Sequence, residues 1–384
     1  MKLKYVIVVL MVMATVLTIA FTSAGATVIP RVGPRSYPPL MFDENGEFTI
    51  LHLTDFHEYM LVEGATIADL MPMDTLKPRL TEFIDSCLNE VEPDLVVLGG
   101  DNIFGLSAIA EMTDPPVSIL TYRAIAEFFE ARGQYWTMTF GNHDSESLLD
   151  KIDFMNEVIK YDYFIGGTDD ENYFSAEIFP SDIVIGNSHA DYYVGNYSIP
   201  VYANNGYDIA YNIFVLDSGS YTLTPPPEVP YMAISEEQTE WYLAESYKLE
   251  EETGRIIPAV MFTHIPFIEM QEAYEQGNVL DGSPAGWALS TTRSPIYDAI
   301  TSRGDVKAVF FGHMHGSDLT VFDEANGNKL LMCMTKAAQS SGYDDVDSVL
   351  GMRVITLREN GSMSTYSGDS TGYRGREVSL EEID

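Results

Sequence analysis

Residues 94–102 read DLVVLGGDN: an unbroken apolar run, two glycines, then Asp101 and Asn102. A short apolar run bounded by turn residues is typical of a strand that is covered on both faces, as in a parallel sheet. Ligand sites in open α/β sheets lie just beyond the carboxyl ends of such strands. The stretch therefore predicts an α/β fold with a functional site at Asp101.

Helix and strand patterns alternate on both sides of this stretch. Helices are predicted at residues 76–91, 118–131, 145–161 and 235–252, and strands at residues 48–53, 135–140, 256–262, 306–311, 329–334 and 352–357. Residues 171–221 are rich in Tyr, Asn and Gly and alternate as antiparallel strands do. We therefore expect one α/β domain with mixed sheets at residues 48–358. A linker and hairpin at residues 27–47 precede it, and an acidic tail at residues 359–384 follows it.

The first 26 residues have the three parts of a secretory signal peptide. Lys2 and Lys4 precede an apolar run from residue 5 to residue 21, and residues 24–26 (AGA) offer a small-residue cleavage site. A run of this length also lies near the shorter limit of a membrane-spanning helix. The expected location is therefore extracellular, with an outward-facing membrane anchor as the alternative if the segment is not cleaved.

The chain of 384 residues carries a formal net charge of −37. A surface this acidic repels nucleic acid and anionic membranes, so nucleic acid is not expected as a stable partner. We expect contact with a membrane only if the N-terminal segment stays attached. The charge also opposes an anionic substrate at long range, and bound divalent cations reverse that effect locally. No feature of the sequence indicates an oligomeric state.

Five short motifs follow predicted strands directly. They are Asp55-Phe56-His57, Gly100-Asp101-Asn102, Gly141-Asn142-His143-Asp144, His264, and Gly312-His313-Met314-His315. Each motif alone is weak evidence, but five of the seven histidines lie within the set. Carboxylate, amide and imidazole side chains suit Fe, Mn or Zn better than an ion that prefers thiolates. The set therefore predicts a metal centre at the strand ends.

In their order these motifs resemble those of the calcineurin-like metallophosphoesterase superfamily, and residues 100–105 (GDNIFG) with 141–144 (GNHD) look closest to its branch related to purple acid phosphatases. The resemblance implies a four-layer α/β/β/α sandwich with two mixed sheets. It also implies two metal ions whose bridging hydroxide attacks a phosphate ester. The implied ligands are Asp55, His57 and His315 for one ion, Asn142, His264 and His313 for the other, and Asp101 as the bridge.

The resemblance makes His143 the acid that protonates the leaving oxygen. Asp144 is expected to hydrogen-bond the His143 ring and set its tautomer, or to cap the helix predicted from residue 145. The implied function is a secreted phosphomonoesterase acting on small phosphate esters. Two alternatives stay open: a phosphodiesterase for nucleotides or lipid head groups, and a non-catalytic metal-binding adhesion or sensor module. The complete ligand set disfavours the non-catalytic reading.

Phe104 departs from the pattern of the purple acid phosphatases, in which a tyrosine at this position binds iron. A phenyl ring cannot bind a metal ion, so we expect no tyrosine–iron colour and expect His57 to supply the missing ligand. The arginine that grips phosphate in the serine/threonine protein phosphatases is also absent from this motif. A dedicated protein phosphatase is therefore not expected.

Several residues outside the motifs also carry expectations. Cys87 and Cys333 lie in a helical and a strand-like stretch, so both are expected to be buried thiols. His52 is interpreted as a sheet residue and His189 as a surface or structural residue. Tyrosines near a loop tip predicted at residues 195–197 are candidate walls of the site, namely Tyr192, Tyr193 and Tyr197.

Overall fold

The computed structural model describes residues 40–58, 76–104, 114–147, 149–166, 173–178, 191–221, 231–290, 292–339 and 349–383, with only the backbone described at 173–178 and 191–193. The predicted signal peptide, the linker up to residue 39 and His189 lie outside these ranges. None of the helices in the described ranges combines the length and apolar character that crossing a membrane requires.

The described strands and helices are numbered along the chain. The strands are β1 Glu47–Leu53, β2 Leu95–Gly99, β3 Trp136–Thr139, β4 Tyr173–Ile178, β5 Asp191–Tyr202, β6 Ile209–Val215, β7 Ala259–Phe262, β8 Val279–Ser283, β9 Val306–Phe311, β10 Asp318–Ala325, β11 Asn328–Met334, β12 Gly351–Arg358, β13 Met363–Asp369 and β14 Val378–Ser379. The helices are α1 Pro78–Val91, α2 Val117–Glu130, α3 Lys151–Val158, α4 Glu236–Thr253, α5 Ile268–Glu275 and α6 Pro295–Arg303.

The strands form two mixed sheets. One has six strands in the order β14-β13-β12-β1-β2-β3, and the other has eight in the order β4-β5-β6-β7-β9-β11-β10-β8. The centre of each sheet is parallel: β1, β2 and β3 in the first, and β6, β7, β9 and β11 in the second. Antiparallel strands flank both centres. The strand order confirms the expectation of an α/β fold with mixed sheets.

The two sheets pack face to face, and helices cover their outer faces. Across the interface the ring of His52 on β1 lies 5.1 Å from that of Phe262 on β7. On the outside of the six-stranded sheet, Phe129 of α2 stacks on Trp136 of β3 at 5.3 Å. A second apolar cluster joins α4, α5 and α6 to the outer face of the eight-stranded sheet. This four-layer α/β/β/α sandwich is the architecture that the resemblance implied.

Helix α4 shows how local sequence sets an element boundary. Ser235 accepts a hydrogen bond from the backbone N–H of Gln238, whose side chain accepts one from the N–H of Ser235, which is the reciprocal capping box. Gly254 ends the helix in the left-handed conformation, with φ of 73°. The predicted span of residues 235–252 therefore agrees with the observed helix to within one residue at each end.

Three predicted boundaries differ from the structure. Residues 359–384 are not only a tail, because β13 pairs with β12 along its whole length and extends the six-stranded sheet. Residues 195–197 are not a loop tip, since they lie within β5. The helix predicted at 145–161 is divided into a 3-10 turn at His143–Glu146 and helix α3. In the first two cases polar composition concealed a strand, whereas in the third a continuous helical pattern concealed a break.

Candidate metal centre

The predicted ligands all lie just after central parallel strands. Asp55 and His57 follow β1, Asp101 follows β2, and Asn142 follows β3. From the other sheet, His264 follows β7 and the pair His313 and His315 follows β9. Parallel strands bring their carboxyl ends to one edge, so side chains that are far apart in sequence meet there. We call these seven residues the ligand cluster.

The carboxylate and imidazole groups of the ligand cluster form two sets. Within each set, one potential ligand atom per residue lies within 4.8 Å of those of all the others. The first set is Asp55, His57, Asp101 and His315, and the second is Asp101, His264 and His313. Asp101 belongs to both sets, and this is the arrangement that a residue bridging two cations requires.

The two oxygens of Asp101 have different surroundings. Oδ1 accepts a hydrogen bond of 2.8 Å from the backbone N–H of His143. Oδ2 lies 3.5 Å from Nε2 of His57 and 3.1 Å from Nε2 of His264, so it points at both sets. Burial raises the pKa of this carboxyl, but the nearby imidazoles of His264, His143 and His57 lower it by more. Asp101 is therefore held as an anion between the sets.

Four buried atoms of the ligand cluster receive no hydrogen bond from the described part of the chain. Buried polar atoms are nearly always paired, so an exception needs an explanation. The four are Oδ1 of Asp55, Oδ1 of Asn142, Nε2 of His264 and Nε2 of His313. All four are atoms that the predicted metal coordination would use. The donor set therefore fits two cations of the Fe, Mn or Zn type.

His264 is already oriented for coordination. Its Nδ1 lies 2.8 Å from the carbonyl oxygen of Gly99, so Nδ1 carries a proton and donates it. A backbone carbonyl that fixes the tautomer of a metal-binding histidine in this way is a common arrangement. When no cation is bound, burial lowers the pKa of His264 but Asp101 raises it further, to about 9. A proton on Nε2 then takes the place that a cation would occupy.

The backbone of the cluster is strained. Asp55, His57, Asp101 and His313 have positive φ values of 56°, 47°, 50° and 69°. They are four of the six non-glycine residues with positive φ in the described ranges. Such conformations cost about 1–3 kcal/mol each and persist where the surrounding structure enforces them. The positions of these four side chains are therefore held at a cost in stability of the fold.

Two motif glycines allow a close approach of the loops. A Cβ atom on Gly141 would lie 2.2 Å from Oδ1 of Asp101, and one on Gly312 would lie 2.1 Å from Oγ1 of Thr54. Real Cβ atoms do not approach other atoms so closely. The glycines in GNHD and GHMH are thus needed because a Cβ atom would clash with the loop that follows another strand, β2 for Gly141 and β1 for Gly312.

His143 borders the cluster, and its ring centre lies 5.0 Å from that of His57. Its Nδ1 is 2.8 Å from Oε2 of Glu146, three residues along the 3-10 turn. Burial lowers the pKa of His143, while Asp101 and Glu146 raise it by more, so the net pKa shift is upward. The cationic form of the ring, which is the form a general acid needs, is therefore favoured.

Asp144 does not orient the His143 ring, and this prediction requires correction. Burial, followed by the charge of Asp101, raises the pKa of Asp144 to about 7. The 3-10 turn has Asn142 as its N-cap residue and helix α3 has Asp150, so Asp144 is not an N-cap either. Its carboxyl instead joins the loops after β2 and β3 to helix α2, by accepting hydrogen bonds from Asn102 N, Ile103 N, Gly141 N and the Tyr122 hydroxyl.

Aromatic rings surround the cluster, but not the ones that the sequence suggested. The ring centre of Phe104 lies 4.6 Å from that of His143, and the ring centre of Tyr231 lies 4.4 Å from that of His313. The hydroxyl of Tyr221 accepts a hydrogen bond of 2.8 Å from Nδ2 of Asn142. Sequence reasoning missed Tyr221, Tyr231 and Glu146, and the only available signal was the three-residue spacing of Glu146 from His143.

Burial decides several of the remaining expectations. Tyr197 is only 2% exposed and its hydroxyl lies 3.2 Å from Sδ of Met155, so it is not a wall of the site. The side chains of Tyr192 and Tyr193 lie outside the described part. His52 is a buried sheet residue, as predicted, with Nδ1 2.8 Å from Oγ1 of Thr335. Both cysteines are buried free thiols, which confirms that prediction.

Curated relatives of the chain are named as phosphatases. It is 29% identical over 292 residues to "Probable inactive purple acid phosphatase 28" of Arabidopsis thaliana, which covers 73% of this chain and 68% of that protein. It is 26% identical over 333 residues to "Probable inactive purple acid phosphatase 14" of the same plant, covering 82% and 76%. "Phosphatase DCR2" of Saccharomyces cerevisiae is 27% identical over 304 residues, covering 76% of this chain and 48% of that one.

Solved structures and a family model also match. A 5'-nucleotidase from Candida albicans SC5314 aligns with a TM-score of 0.39 and 14% identity, over 87% of this chain and 53% of that one. The family model described as "Calcineurin-like phosphoesterase" matches residues 48–317, which include every residue of the ligand cluster. The chain therefore belongs to the calcineurin-like phosphoesterase family.

Proposed function

We propose that this protein is an exported phosphoric monoester hydrolase with two cations that share Asp101. The observation that carries the proposal is the position of Oδ2 of Asp101 between two sets of ligands. Four buried atoms of the ligand cluster receive no hydrogen bond from the described residues. Export rests on the sequence of residues 1–26.

The division of ligands follows the two sets. Asp55, His57 and His315 would hold one ion, and Asn142, His264 and His313 the other. Two such cations, when bound, supply charge neutralisation at the phosphoryl oxygens and acidify a water near neutral pH. The protein's contribution is to fix seven donors before substrate arrives, because each follows a buried strand and is held by loop contacts.

His143 is the proposed proton donor to the leaving oxygen. Glu146 lies against Nδ1, so Nε2 is the ring atom that can deliver a proton. Delivery at this point matters most for esters of weakly acidic alcohols, because their oxygen leaves poorly without a proton. Phe104 packs against the ring and helps to exclude water from it.

Two of the relatives cited carry the word "inactive" in their names, so turnover has to be tested on this chain. The ligand cluster here is complete, which supports catalysis over a purely metal-binding module. A diesterase would use the same cluster, and the relatives' names favour monoester hydrolysis.

The test uses the chain from Thr27 onward, loaded with Fe, Mn or Zn. Metal content is counted first, and matched aryl phosphate monoesters and diesters are then assayed before and after chelation. Two ions per chain with chelator-sensitive monoester hydrolysis supports the proposal, and Asp101→Ala should abolish both properties. Preferred diester hydrolysis would replace the proposed activity by the phosphodiesterase. Two ions without turnover would indicate a metal-binding module that does not catalyse hydrolysis. Fewer than two ions under every loading condition would contradict the dinuclear centre.

A further inference from the structure

Two of the central parallel strands end without contributing a metal ligand. Members of the ligand cluster follow β1, β2, β3, β7 and β9, whereas none follows β6 or β11. Both of these strands are parallel to the ligand-bearing strands of their sheet, so their carboxyl ends lie at the same edge. The segments that follow β6 and β11 therefore lie beside the ligand cluster without supplying a ligand.

The segment after β6, residues 218–221 (SGSY), holds a ligand loop of its own sheet. Oγ of Ser218 accepts a hydrogen bond of 3.0 Å from the backbone N–H of Ile265, which directly follows the ligand His264. The ring of His264 is held separately, by the contact of its Nδ1 with the carbonyl oxygen of Gly99. The backbone and the ring of this ligand are thus fixed by two different segments.

The 218–221 segment also reaches the six-stranded sheet, where it holds Asn142. Oγ of Ser220 donates a hydrogen bond of 3.1 Å to the carbonyl oxygen of Asn142, and the hydroxyl of Tyr221 accepts one from its Nδ2. Since Nδ2 is engaged in this way, Oδ1 is the amide atom that remains for a cation, and it receives no hydrogen bond from the described residues. Neighbouring residues of one segment therefore fix both the backbone and the side chain of this ligand.

Gly219 allows the two serines to contact different loops. Its φ of 78° lies in the left-handed region that favours glycine, and its N–H donates a hydrogen bond of 2.9 Å to Oδ1 of Asp217. The turn directs Ser218 to the loop after β7 and Ser220 to the loop after β3. Ser218 is 2% exposed and Ser220 is 0% exposed, so bulk water does not compete for their hydroxyls.

The third ligand of the same set is reached through the chain that pairs with this segment. Tyr221 forms an antiparallel bridge with Tyr231, and the backbone N–H of Met232 donates a hydrogen bond of 2.9 Å to the carbonyl oxygen of Ser220. The ring centre of Tyr231 lies 4.4 Å from that of His313. The 218–221 segment therefore supports all three ligands of one ion, two of them directly and the third through Tyr231.

The other set of ligands is supported by the segment after β11. The backbone N–H of Ala337 donates a hydrogen bond of 3.0 Å to the carbonyl oxygen of His315, and that of Ala338 donates one of 2.9 Å to the carbonyl oxygen of Thr54. Oγ1 of Thr54 in turn donates to Oδ2 of Asp55 at 2.7 Å. Each set of ligands is thus supported by the segment after a strand that supplies no ligand.

We infer that the 218–221 segment positions the ligands of one ion only, the ion assigned to Asn142, His264 and His313. Ser218 and Ser220 are the positioning residues. Hydrogen bonds behind a metal ligand fix the direction of its donor atom, and their loss typically lowers metal affinity about 10- to 100-fold. The inference rests on the two cations of the proposed function, but its test needs no substrate and no turnover.

The experiment titrates zinc into the metal-free forms of wild type, Ser218→Ala and Ser220→Ala. The matched control is Ser198→Ala, which removes the same hydroxyl from another buried serine of the eight-stranded sheet. Ser198 exchanges hydrogen bonds with Asn212, so its contacts stay within β5 and β6. A general effect of removing a buried hydroxyl is therefore measured alongside the specific one.

The two sets of ligands are followed separately by 15N NMR of labelled histidine side chains. The chain has seven histidines, and replacing one at a time with glutamine assigns each imidazole signal. The signals of His264 and His313 report binding of one ion, and those of His57 and His315 report binding of the other. Because both sets are observed in the same sample, the second pair is an internal control for folding.

In both variants of the 218–221 segment, the zinc concentration that half-saturates the His264 and His313 signals should rise about tenfold or more. The concentration for His57 and His315 should stay within about twofold of wild type, and Ser198→Ala should stay within that limit for both pairs. Equal weakening of both pairs, or no weakening at His264 and His313 in either variant, would overturn the inference.

This inference and the proposed function fail in different ways. If wild type binds zinc at both sets but hydrolyses no ester, the proposed activity is wrong, and the two serine variants alone decide the inference. If the His264 and His313 signals of wild type do not respond to zinc, the dinuclear centre is wrong, and the inference is overturned with it.

Discussion

Two buried polar regions of this protein look alike in burial and charge and differ in hydrogen bonding. In the ligand cluster, four buried donor or acceptor atoms converge without a hydrogen bond from the described residues. In the second region, Nζ of Lys151 lies 2.7 Å from Oδ2 of Asp217, and both side chains are fully buried. Oδ2 and Oδ1 of Asp217 also accept from the N–H groups of Val194 and Gly219.

The second region extends to the start of α4. Asn196 accepts hydrogen bonds from the backbone N–H of Asp217 and from Nε2 of Gln238, which also donates to the Asp217 carbonyl. We call Lys151, Asp217, Asn196 and Gln238 the Lys151 network. Its polar groups satisfy one another, so it needs no ligand. In this comparison, hydrogen-bond satisfaction, and not burial of charge, separates the ligand cluster from the Lys151 network.

The largest effect is expected from Asp101→Asn, which tests the ligand cluster. The amide can still accept from His143 N–H and can donate to Nε2 of His264, but it cannot bridge two cations. We expect less than two metal ions per chain and a loss of about 10⁴-fold in kcat/KM, since bound ions contribute several kcal/mol. The free energy of unfolding without metal should fall only modestly, because His264 can release its Nε2 proton once the neighbouring anion is gone. Metal analysis, steady-state kinetics and urea denaturation in chelator measure these three outcomes. A variant that still binds two ions would mean that Asp101 is not the bridge.

Lys151→Met should have the opposite profile. The change leaves the carboxylate of Asp217 buried without its cation, and we expect a loss of about 3–5 kcal/mol in unfolding free energy. Metal content and kcat of the folded variant should stay near wild type. Denaturation curves of Lys151→Met and of Lys151→Met/Asp217→Asn give the measurement, and the double variant should recover part of the loss. If Lys151→Met instead loses metal, the Lys151 network contributes directly to metal binding at the ligand cluster.

Metal removal should separate the two regions in a single titration. Ions that bind only the folded state stabilise it, by about 2.7 kcal/mol at a free concentration one hundred times Kd. Wild type and Lys151→Met should therefore show the same upward shift of Tm on loading, whereas Asp101→Asn should show a smaller one. Differential scanning calorimetry across a zinc series measures the shift. Equal shifts in all three proteins would place the stabilising ions outside the ligand cluster.

The same contrast explains what the sequence could predict. Each member of the ligand cluster is a short polar motif after an apolar strand, and the parallel order brings those ends together whatever the intervening chain does. The contacts of Asp144 and Glu146 could not be predicted from the sequence, because both residues lie within three positions of His143. Whether that stretch forms an α-helix or a 3-10 turn decides which carboxylate reaches the ring.

The Lys151 network could not be predicted at all. Its four residues come from α3, the segment after β6, β5 and α4, and no pattern of residue types joins them. Similarly, β13 (MSTYSGD) lacks the apolar alternation of a strand. Its pairing with β12 stabilises it instead, and that pairing is not visible in the sequence pattern. Long-range contacts between polar residues are the part of this fold that sequence patterns do not record.

The smallest effect is expected from removing one tyrosine hydroxyl near each region. Tyr221 bridges Asn142 and Glu146 beside the ligand cluster, while Tyr197 adjoins the Lys151 network and contacts Met155. Tyr221→Phe leaves the Glu146 carboxylate without one of its donors, so kcat should fall about tenfold with two metal ions retained. Tyr197→Phe should change kcat/KM by less than about twofold and lower unfolding free energy by no more than about 1 kcal/mol. Parallel kinetics and denaturation of the two variants measure this difference. If Tyr197→Phe affects turnover as much as Tyr221→Phe does, hydrogen-bond satisfaction does not separate the two regions, since a hydroxyl outside the site would then act on the chemistry.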